Sequence, residues 1–526
     1  MTNNCCDGWP KIACSAEIGR FISRQEKQVL KTSGCRPLAT DIAAFWHRAT
    51  ALLAAFALLL GGCAAVGPNY TAPEPAAPAT WQGAAAARVA VSPAKPVELA
   101  SWWRRLDDPA LAELIDQALQ TSLDLRSARA RLREARARRA LAGANRFPTV
   151  TSSGAASISK NGTETGTGNT RERYSAGFDA SWEPDVFGSA RRGEEAAQAD
   201  LESTEANLYA TQVSLVAEVA LNYVELRAYQ DRLAIAQANV ASQAETLQLA
   251  QWRAQAGLVS ALDVEQARSN LAQTRAQIPT LETGATEAQH RLEILLGQSP
   301  GALTGRLSDP TGIPRVPARV TVSIPADTLR QRPDVRAAER QLAAETARVG
   351  VAEAARYPSF NLSGSLGLEA LSLGGLAGAG ALARGVAGSI AAPIFDAGRI
   401  RQQIEIQTAV QEQAFIAYQS TVLNALAEVE NTLAALANTR ERQRNLIEAV
   451  QAARSAATLA RQRYSSGIID FQTVLDTERS VLNLEDNLKS SQAEHISALI
   501  RLYKALGGGW SASAANVATS AQGNRP

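Results

Sequence analysis

Arg146-Phe147-Pro148-Thr149 returns 210 residues later as Arg356-Tyr357-Pro358-Ser359, and the same offset carries Asp124-Leu125-Arg126 into Asp334-Val335-Arg336. Farther along, Gly257-Leu258-Val259 becomes Gly467-Ile468-Ile469, and Arg291-Leu292 with Leu296-Gly297 becomes Arg501-Leu502 with Leu506-Gly507. One offset of 210 holds over more than 170 residues, so the chain is one structural plan written twice.

Each copy predicts a helix, a pair of short alternating segments, a very long helix, a Gly turn and a second helix. Residues 194–256 form 63 positions without Gly or Pro, and residues 399–466 form 68. Continuous helices of that length reach roughly 95 to 100 Å at 1.5 Å per residue, far beyond a compact domain. Leu446, Val450, Ala453, Ala457, Ala460 and Tyr464 recur at steps of four and three, the spacing of a coiled-coil seam. The first copy repeats the seam as Ala236, Val240, Gln243, Leu247, Ala250 and Ala254. Gly257 and Gly467 end the long helices and reverse the chain, so each copy predicts a long antiparallel hairpin.

Upstream of each long helix the period falls to two. Tyr174, Ala176, Phe178, Ala180 and Trp182 alternate with polar residues, as do Phe360, Leu362, Gly364, Leu366 and Leu368. Residues 386–394 predict a further strand and residues 150–158 a weaker first one. Strands of about 10 residues with one apolar and one polar face suit a transmembrane β-barrel. Four cannot close one, because about eight is the minimum and an open edge in lipid leaves backbone groups unsatisfied. Several copies must therefore combine; dimer, trimer and tetramer all satisfy the strand count.

The N-terminus reads as an address. His47 and Arg48 precede the apolar run 49–60, which ends in Gly61-Gly62-Cys63. Twelve apolar residues span about 18 Å as a helix, short of a hydrocarbon core of about 30 Å, so the segment is a signal peptide rather than a membrane span. Four of the five cysteines precede residue 36 and none follows Cys63, which excludes a disulfide framework or Cys-based metal site in the body of the chain. The stretch to about Asp41 exceeds a usual signal start. Translation is expected to begin downstream of Met1, the only Met, at a non-ATG codon such as Val29, Leu30 or Leu38.

Lys plus Arg number 53 and Asp plus Glu 51, so the 526-residue chain is nearly neutral, with no basic block for nucleic acid. His47, His290 and His495 have no partners at metal-ligand spacing, and His495 continues the stripe Val474, Val481, Leu488. The Gly-rich run 373–385 lacks the Lys-Ser/Thr of a phosphate loop and reads as an extracellular loop. No catalytic constellation and no nucleotide site emerge, and the chain is read as a non-enzyme without cofactor.

Taken together, Gly61-Gly62-Cys63, Gly67-Pro68-Asn69-Tyr70, Trp102-Trp103 with Asp108-Pro109-Ala110-Leu111, and Leu329-Arg330-Gln331-Arg332-Pro333-Asp334-Val335-Arg336 resemble the TolC family of outer-membrane efflux factors. The resemblance is to the lipoprotein branch, of the NodT and OprM kind, that serves RND-type pumps. It covers residues 63 to about 510. It implies a mainly α chain with transmembrane β: a homotrimer with a 12-stranded β-barrel, four strands per chain, continuous with a long periplasmic α-helical barrel. It also implies lipid on Cys63 as the sole covalent group, localisation in the outer membrane, a periplasmic adaptor protein and an inner-membrane pump as partners, and efflux of small toxic compounds. Export of secreted protein and a non-conducting lipid-anchored scaffold are the alternatives.

By the same resemblance, Gly257, Leu258, Val259, Gly467, Ile468 and Ile469 are tips that contact the adaptor. Asp476 stands in the carboxylate ring that narrows the closed pore, with Thr473 where some members carry a second acid. Asp263 and Tyr464 match positions that lock neighbouring hairpins; Ile469 replaces a basic partner there, and Arg479 is its candidate substitute. Asp263 and Asp476 also sit in first turns, where the helix dipole favours an acid. The expected organisation is a signal segment over 1–62, a lipidated extended segment over 63–106, repeats over 107–297 and 326–507 joined by a linker over 298–325, and a flexible tail over 508–526. Residues 279–284, the Pro-rich stretch 299–325 and the chain after Leu506 are assigned to a mixed belt around the helical barrel, and residues 70–95 to its outside.

Overall fold

A computed structural model describes residues 65–510, except 75–76, 92–98, 161, 163, 165–167, 310 and 318–319. All of these fall in one compact unit, Ala64–Pro526. The signal segment and Cys63 lie outside the described residues.

In chain order the principal elements are α1 (Pro109–Thr121), α2 (Leu123–Ala144), β1 (Thr149–Lys160), β2 (Thr170–Trp182), α3 (Ser189–Gln255) and α4 (Ala261–Leu295). The second copy supplies α5 (Pro325–Gln331), α6 (Pro333–Ala354), β3 (Ser359–Ala370), β4 (Leu382–Ala391), α7 (Arg399–Ser465) and α8 (Phe471–Ala505). The repeat holds residue for residue in the helices: α3 and α7 both have 67 residues, and α4 and α8 both have 35. At 1.5 Å per residue each long helix extends about 100 Å.

Helix starts and stops follow local chemistry. Gly188 and Gly398 precede the long helices at φ +85°, a left-handed backbone that a side chain would strain. Asp185 accepts from the backbone N–H of Ala190 and Arg191, and Asp396 from Gly398 and Ile400, satisfying donors that a first turn leaves open. Along the seam, Ala236, Gln243 and Ala250 of α3 are buried, as are Val450, Ala457, Ala460 and Tyr464 of α7. Small residues at these positions let the hairpin arms approach closely.

The four strands form one antiparallel sheet in the order β1-β2-β3-β4. Register places Phe178 opposite Leu366, and Gly364 opposite Val386. One face therefore gathers Val150, Ile158, Phe178, Leu362, Leu366, Val386 and Ile390, all exposed, while the other carries Thr149, Thr151, Ser153, Asp179, Ser181, Ser363 and Ser365. Among the described residues no helix is long and apolar enough to cross a membrane. The last strand differs from the alternation at 386–394. It begins at Leu382 and ends at Ala391, because Pro393 cannot donate to a ladder. The preceding Gly-rich loop is correspondingly shorter and folds into 3-10 turns at Leu373–Ala377 and Ala379–Ala381.

The largest core sits partway along the helices, where α1 lays Leu111, Leu114 and Ile115 against Val216, Tyr223, Leu292, Leu499 and Tyr503. The inter-repeat stretch joins it through Leu303, Leu307 and Val322, and Glu293 accepts from the N–H of Gly301 and Leu303 at 2.7 and 2.8 Å. Residues 279–284, assigned to the belt, run as helix: Pro279 lies inside α4, and Gly284 packs so near Tyr229 that a Cβ there would stand 2.5 Å from the ring. One sequence assignment needs correction. Residues 508–510 are core rather than tail. Gly509 N–H donates to Leu99 O at 3.0 Å, Gln212 Nε2 donates to Gly509 O at 2.8 Å, and Trp510 stacks on Tyr209 at 4.7 Å.

Candidate gate at the hairpin tips

Both hairpins turn in the same way. Gly257 and Gly467 take φ +72° and +73°, and paired backbone bonds close each helix: Gly257 N–H to Ala254 O with Leu258 N–H to Arg253 O, and Gly467 N–H to Tyr464 O with Ile468 N–H to Arg463 O. This is a Schellman stop, whose left-handed residue is normally Gly. The next helix starts three residues on. Ser260 caps α4 in a reciprocal box with Asp263, and Asp470 caps α8 by accepting from Thr473 N–H at 2.9 Å. The Thr473 hydroxyl and N–H together hold the Asp470 carboxyl below the usual carboxylate range.

The turns place one apolar side chain outward and one inward. Leu258 and Ile468 are 69% and 70% exposed, while Val259 and Ile469 are half-buried. The inward pair packs on a small core of Ala250, Ala267, Ala460, Tyr464, Phe471, Val474 and Leu475, which joins the two hairpins into one tip. Tyr464 lies 5.2 Å from Phe471, ring centre to ring centre.

The residues matched by sequence to a lock do not meet as one cluster. Asp263 is engaged by Ser260 of its own turn. Tyr464 is covered instead by Arg253, whose guanidinium carbon lies 4.5 Å from the ring centre. Arg479 donates from Nε to Asn270 Oδ1 at 2.7 Å, bridging α8 to α4, and stands 3.8 Å from Asp476. Asp476 is exposed and accepts from Gln472 at 2.9 Å, and it lies beyond the first turn of α8, which starts at Phe471 and holds no acid, so unlike Asp263 it is no first-turn acid. Thr473 is turned back onto Asp470.

Three groups that sequence reasoning did not single out bind the hairpins more firmly. Glu478 of α8, 3% exposed, accepts from Thr246 of α3 at 2.8 Å and from Arg461 of α7 at 3.0 Å. Arg461 also reaches Ser242 of α3. Higher up, Arg232 pairs with Asp486 at 2.6 Å and Lys489 with Asp231 at 2.8 Å. The Asp470 cap, also missed, has a local signal as an acid three residues before Thr473; these cross-hairpin contacts have none. Among the described residues, no cluster of three His, Cys, Asp or Glu side chains could hold a metal ion.

Two helix hairpins, each with one arm about 100 Å long, continuous with a sheet that is apolar on one face and polar on the other define a subunit of an outer-membrane channel. The chain belongs to the outer membrane efflux protein family, whose model matches residues 114–298 and 324–508. It is 32% identical over 468 residues to nodulation protein T of Rhizobium leguminosarum bv. trifolii, covering 86% of this chain and 96% of that protein. It is also 32% identical over 471 residues to the solvent efflux pump outer membrane protein SrpC of Pseudomonas putida, covering 87% and 97%. Among solved structures, the outer-membrane channel OprN superposes with a TM-score of 0.80 at 39% identity, over 85% of this chain and 99% of that one. The open state of the Neisseria gonorrhoeae MtrE outer membrane channel gives 0.75 at 28%, over 85% and 98%. The fold is therefore that of a TolC-like channel subunit, and the chain is a protein of the outer membrane.

Proposed function

We propose that this chain is the exit duct of a tripartite efflux system, a homotrimer that conducts small toxic compounds passively from an inner-membrane RND-type pump and a periplasmic adaptor to the exterior. The observation that carries the reading is the unfinished edge of the wall. Inside the chain, α3 buries Ala196, Ala206 and Val213 along the stripe that carries Ala199, packed on Ala343 and Ala344 of α6, and Ser203, which donates to Ala337 O, with Val213 itself beside Gly509. Their counterparts on α7, displaced by 210 residues, are Ile406, Ile416 and Leu423, and all three are exposed. The helix related to α6 by the same offset is α2, which leaves Leu123 and Leu141 bare. Covering α7 of one copy with α2 of the next repeats the α3–α6 contact. The same step pairs β4 with the next copy's β1, as β2 pairs β3. Three copies of a four-stranded sheet then close a 12-stranded barrel whose apolar face meets lipid and whose Ser/Thr face lines the lumen.

Within this reading the repeats occupy 107–297 and 326–507, and lipid on Cys63 anchors the chain beside its barrel. The Gly61-Gly62-Cys63 sequence supports that anchor. Leu258 and Ile468 are the apolar knobs that the adaptor covers, and Asp476 from three chains forms the acidic constriction. Asp263, Tyr464 and Arg479 steady the closed tip through their separate contacts. The chain performs no chemistry and needs no cofactor, so the pump supplies the energy. Two relatives are described as outer membrane components of a solvent efflux pump and of pyoverdine export, which favours small-molecule cargo over secreted protein.

The test is conductance of the purified mature protein in a planar bilayer. A small, cation-preferring current from a trimeric sample is expected; silence from verified trimer would favour the scaffold.

A further inference from the structure

The tandem repeat extends to strand register, which fixes the residues that meet where two copies join. Thr149 pairs with Ser181; moved by 210, that pair becomes Ser359 with Ala391, which is also observed, so β3–β4 reproduces β1–β2 without slip. In the ring proposed above, β4 of one copy pairs with β1 of the next as β2 pairs with β3. Each pair of the inner seam therefore has a counterpart at the chain boundary. Phe178 opposite Leu366 becomes Gly388 opposite the next copy's Ala156, and Ala176 opposite Leu368 becomes Val386 opposite the next copy's Ile158. Tyr174 opposite Ala370 becomes Arg384 opposite the next copy's Lys160. Strand alternation puts all of these on the apolar face, with Phe178 and Ile390.

The last rung is unlike the others. Inside the chain it holds Tyr174, and a tyrosine on the lipid side of a barrel marks the level of the lipid head groups. At the boundary it holds two cations. Lys160 is the last residue of β1 and Arg384 the third of β4, so both stand at strand ends remote from the helices, and both are exposed. Among the described residues neither makes a hydrogen bond or an ion pair. Directly opposed residues hold their Cβ atoms about 5 Å apart, and like charges so placed destabilise a seam. Among the described residues, the one acid on this face of the four strands is Glu172, which lies diagonal to Lys160 and accepts from the Tyr174 hydroxyl at 3.3 Å. One acid against two cations leaves a surplus positive charge at each boundary.

We infer that each chain boundary binds a lipid whose head group carries phosphate, in the outer leaflet of the membrane, between Arg384 of one copy and Lys160 of the next. The inference rests on the trimeric duct reading, because neither copy alone completes the site. A phosphate takes the guanidinium fork through two oxygens, and the ammonium adds a compact second charge. The anion turns a repulsive rung into a bridge between chains, and the acyl chains lie along Val386, Ile158 and Ile390, all exposed on the same face. Charge on the lipid face is tolerated at this level and costly at the midplane.

Native mass spectrometry of the purified mature chain in detergent tests it, with hexa-acylated lipid A, which carries phosphate on its head group, as the probe. The wild-type trimer should retain one lipid per boundary, and Lys160→Gln with Arg384→Gln should weaken retention at least tenfold. The dephosphorylated lipid should bind the wild type as weakly as lipid A binds the variant. No retention by wild-type trimer, equal retention by the variant, or equal retention of the dephosphorylated lipid would overturn the inference. Inorganic phosphate that bound as tightly as the lipid would make this a site for the free anion and overturn it too. Failure of the duct reading shows separately: Lys160→Cys with Arg384→Cys, in a chain with no other cysteine after Cys63, should give covalent trimers on oxidation. Joined trimers whose wild-type counterpart holds no lipid overturn this inference alone, and a cysteine pair that never joins chains overturns the ring register and the inference with it.

Discussion

The guanidinium of Arg253 lies 4.5 Å from the ring centre of Tyr464, and its Nη1 donates to the Tyr464 carbonyl oxygen at 2.9 Å. One long helix thus grips the end of the other through both faces of a single residue, one turn above the tip. Among the described residues the Tyr464 hydroxyl has no hydrogen-bond partner, so the ring is the part that holds. Tyr464→Ala should remove about 3 kcal/mol of local packing and raise resting conductance, whereas Tyr464→Phe should leave both nearly unchanged. A Phe variant as leaky as the Ala variant would show instead that the hydroxyl is held by a neighbouring chain.

Asp476 faces solvent, its side chain 59% exposed, accepts from Gln472 and stands 3.8 Å from Arg479. Three such carboxylates on an axis attract cations and repel one another. Asp476→Ala should widen the resting pore and reduce cation preference, read as a reversal-potential shift in a salt gradient. Unchanged selectivity would rule out the ring.

Gly284 faces Tyr229 at a distance that leaves no room for a Cβ, with ring atoms at 2.5 and 2.6 Å from its ideal position. Gly284→Ala should destabilise by about 1 to 3 kcal/mol through overpacking, despite the better helix propensity of Ala. Thermal unfolding of the detergent-solubilised protein measures it, and Tyr229→Ala in the same chain should recover part of the loss.

His495 is buried on α8, with Nδ1 3.0 Å from the Thr439 hydroxyl; burial and then Arg440 hold its pKa below the ordinary histidine value. The unfolded chain therefore binds the proton more readily than the folded one. The contribution is present above about pH 6.5, the unfolded value, and is lost as pH falls through the folded value. His495→Gln should flatten the decline of melting temperature between pH 7.5 and 5. An equally steep decline in the variant would assign the pH response elsewhere.

How far the sequence reaches can be judged at the tips. Gly257 and Gly467 are legible because a Schellman stop needs a left-handed residue just after the last turn; Ser260 and Asp470 went unread, although an N-cap bonding three residues ahead leaves a local signal. By resemblance the lock comprises Asp263, Tyr464 and Arg479, and within one chain these engage Ser260, Arg253 and Asn270. Arg253 gave no signal of its own, because its partner is 211 positions away.

By itself the sequence determined the tandem repeat, the lengths of the helices, their turns and the two-faced strands, since each depends on periodicity or capping within a few residues. Only the tertiary structure decided that Arg232 meets Asp486 across 254 residues, that Pro279 stays in its helix, and that residues 508–510 belong to the core. Those outcomes depend on which surfaces come together, and a contact between distant segments is set by the packing of whole helices rather than by either residue's neighbours.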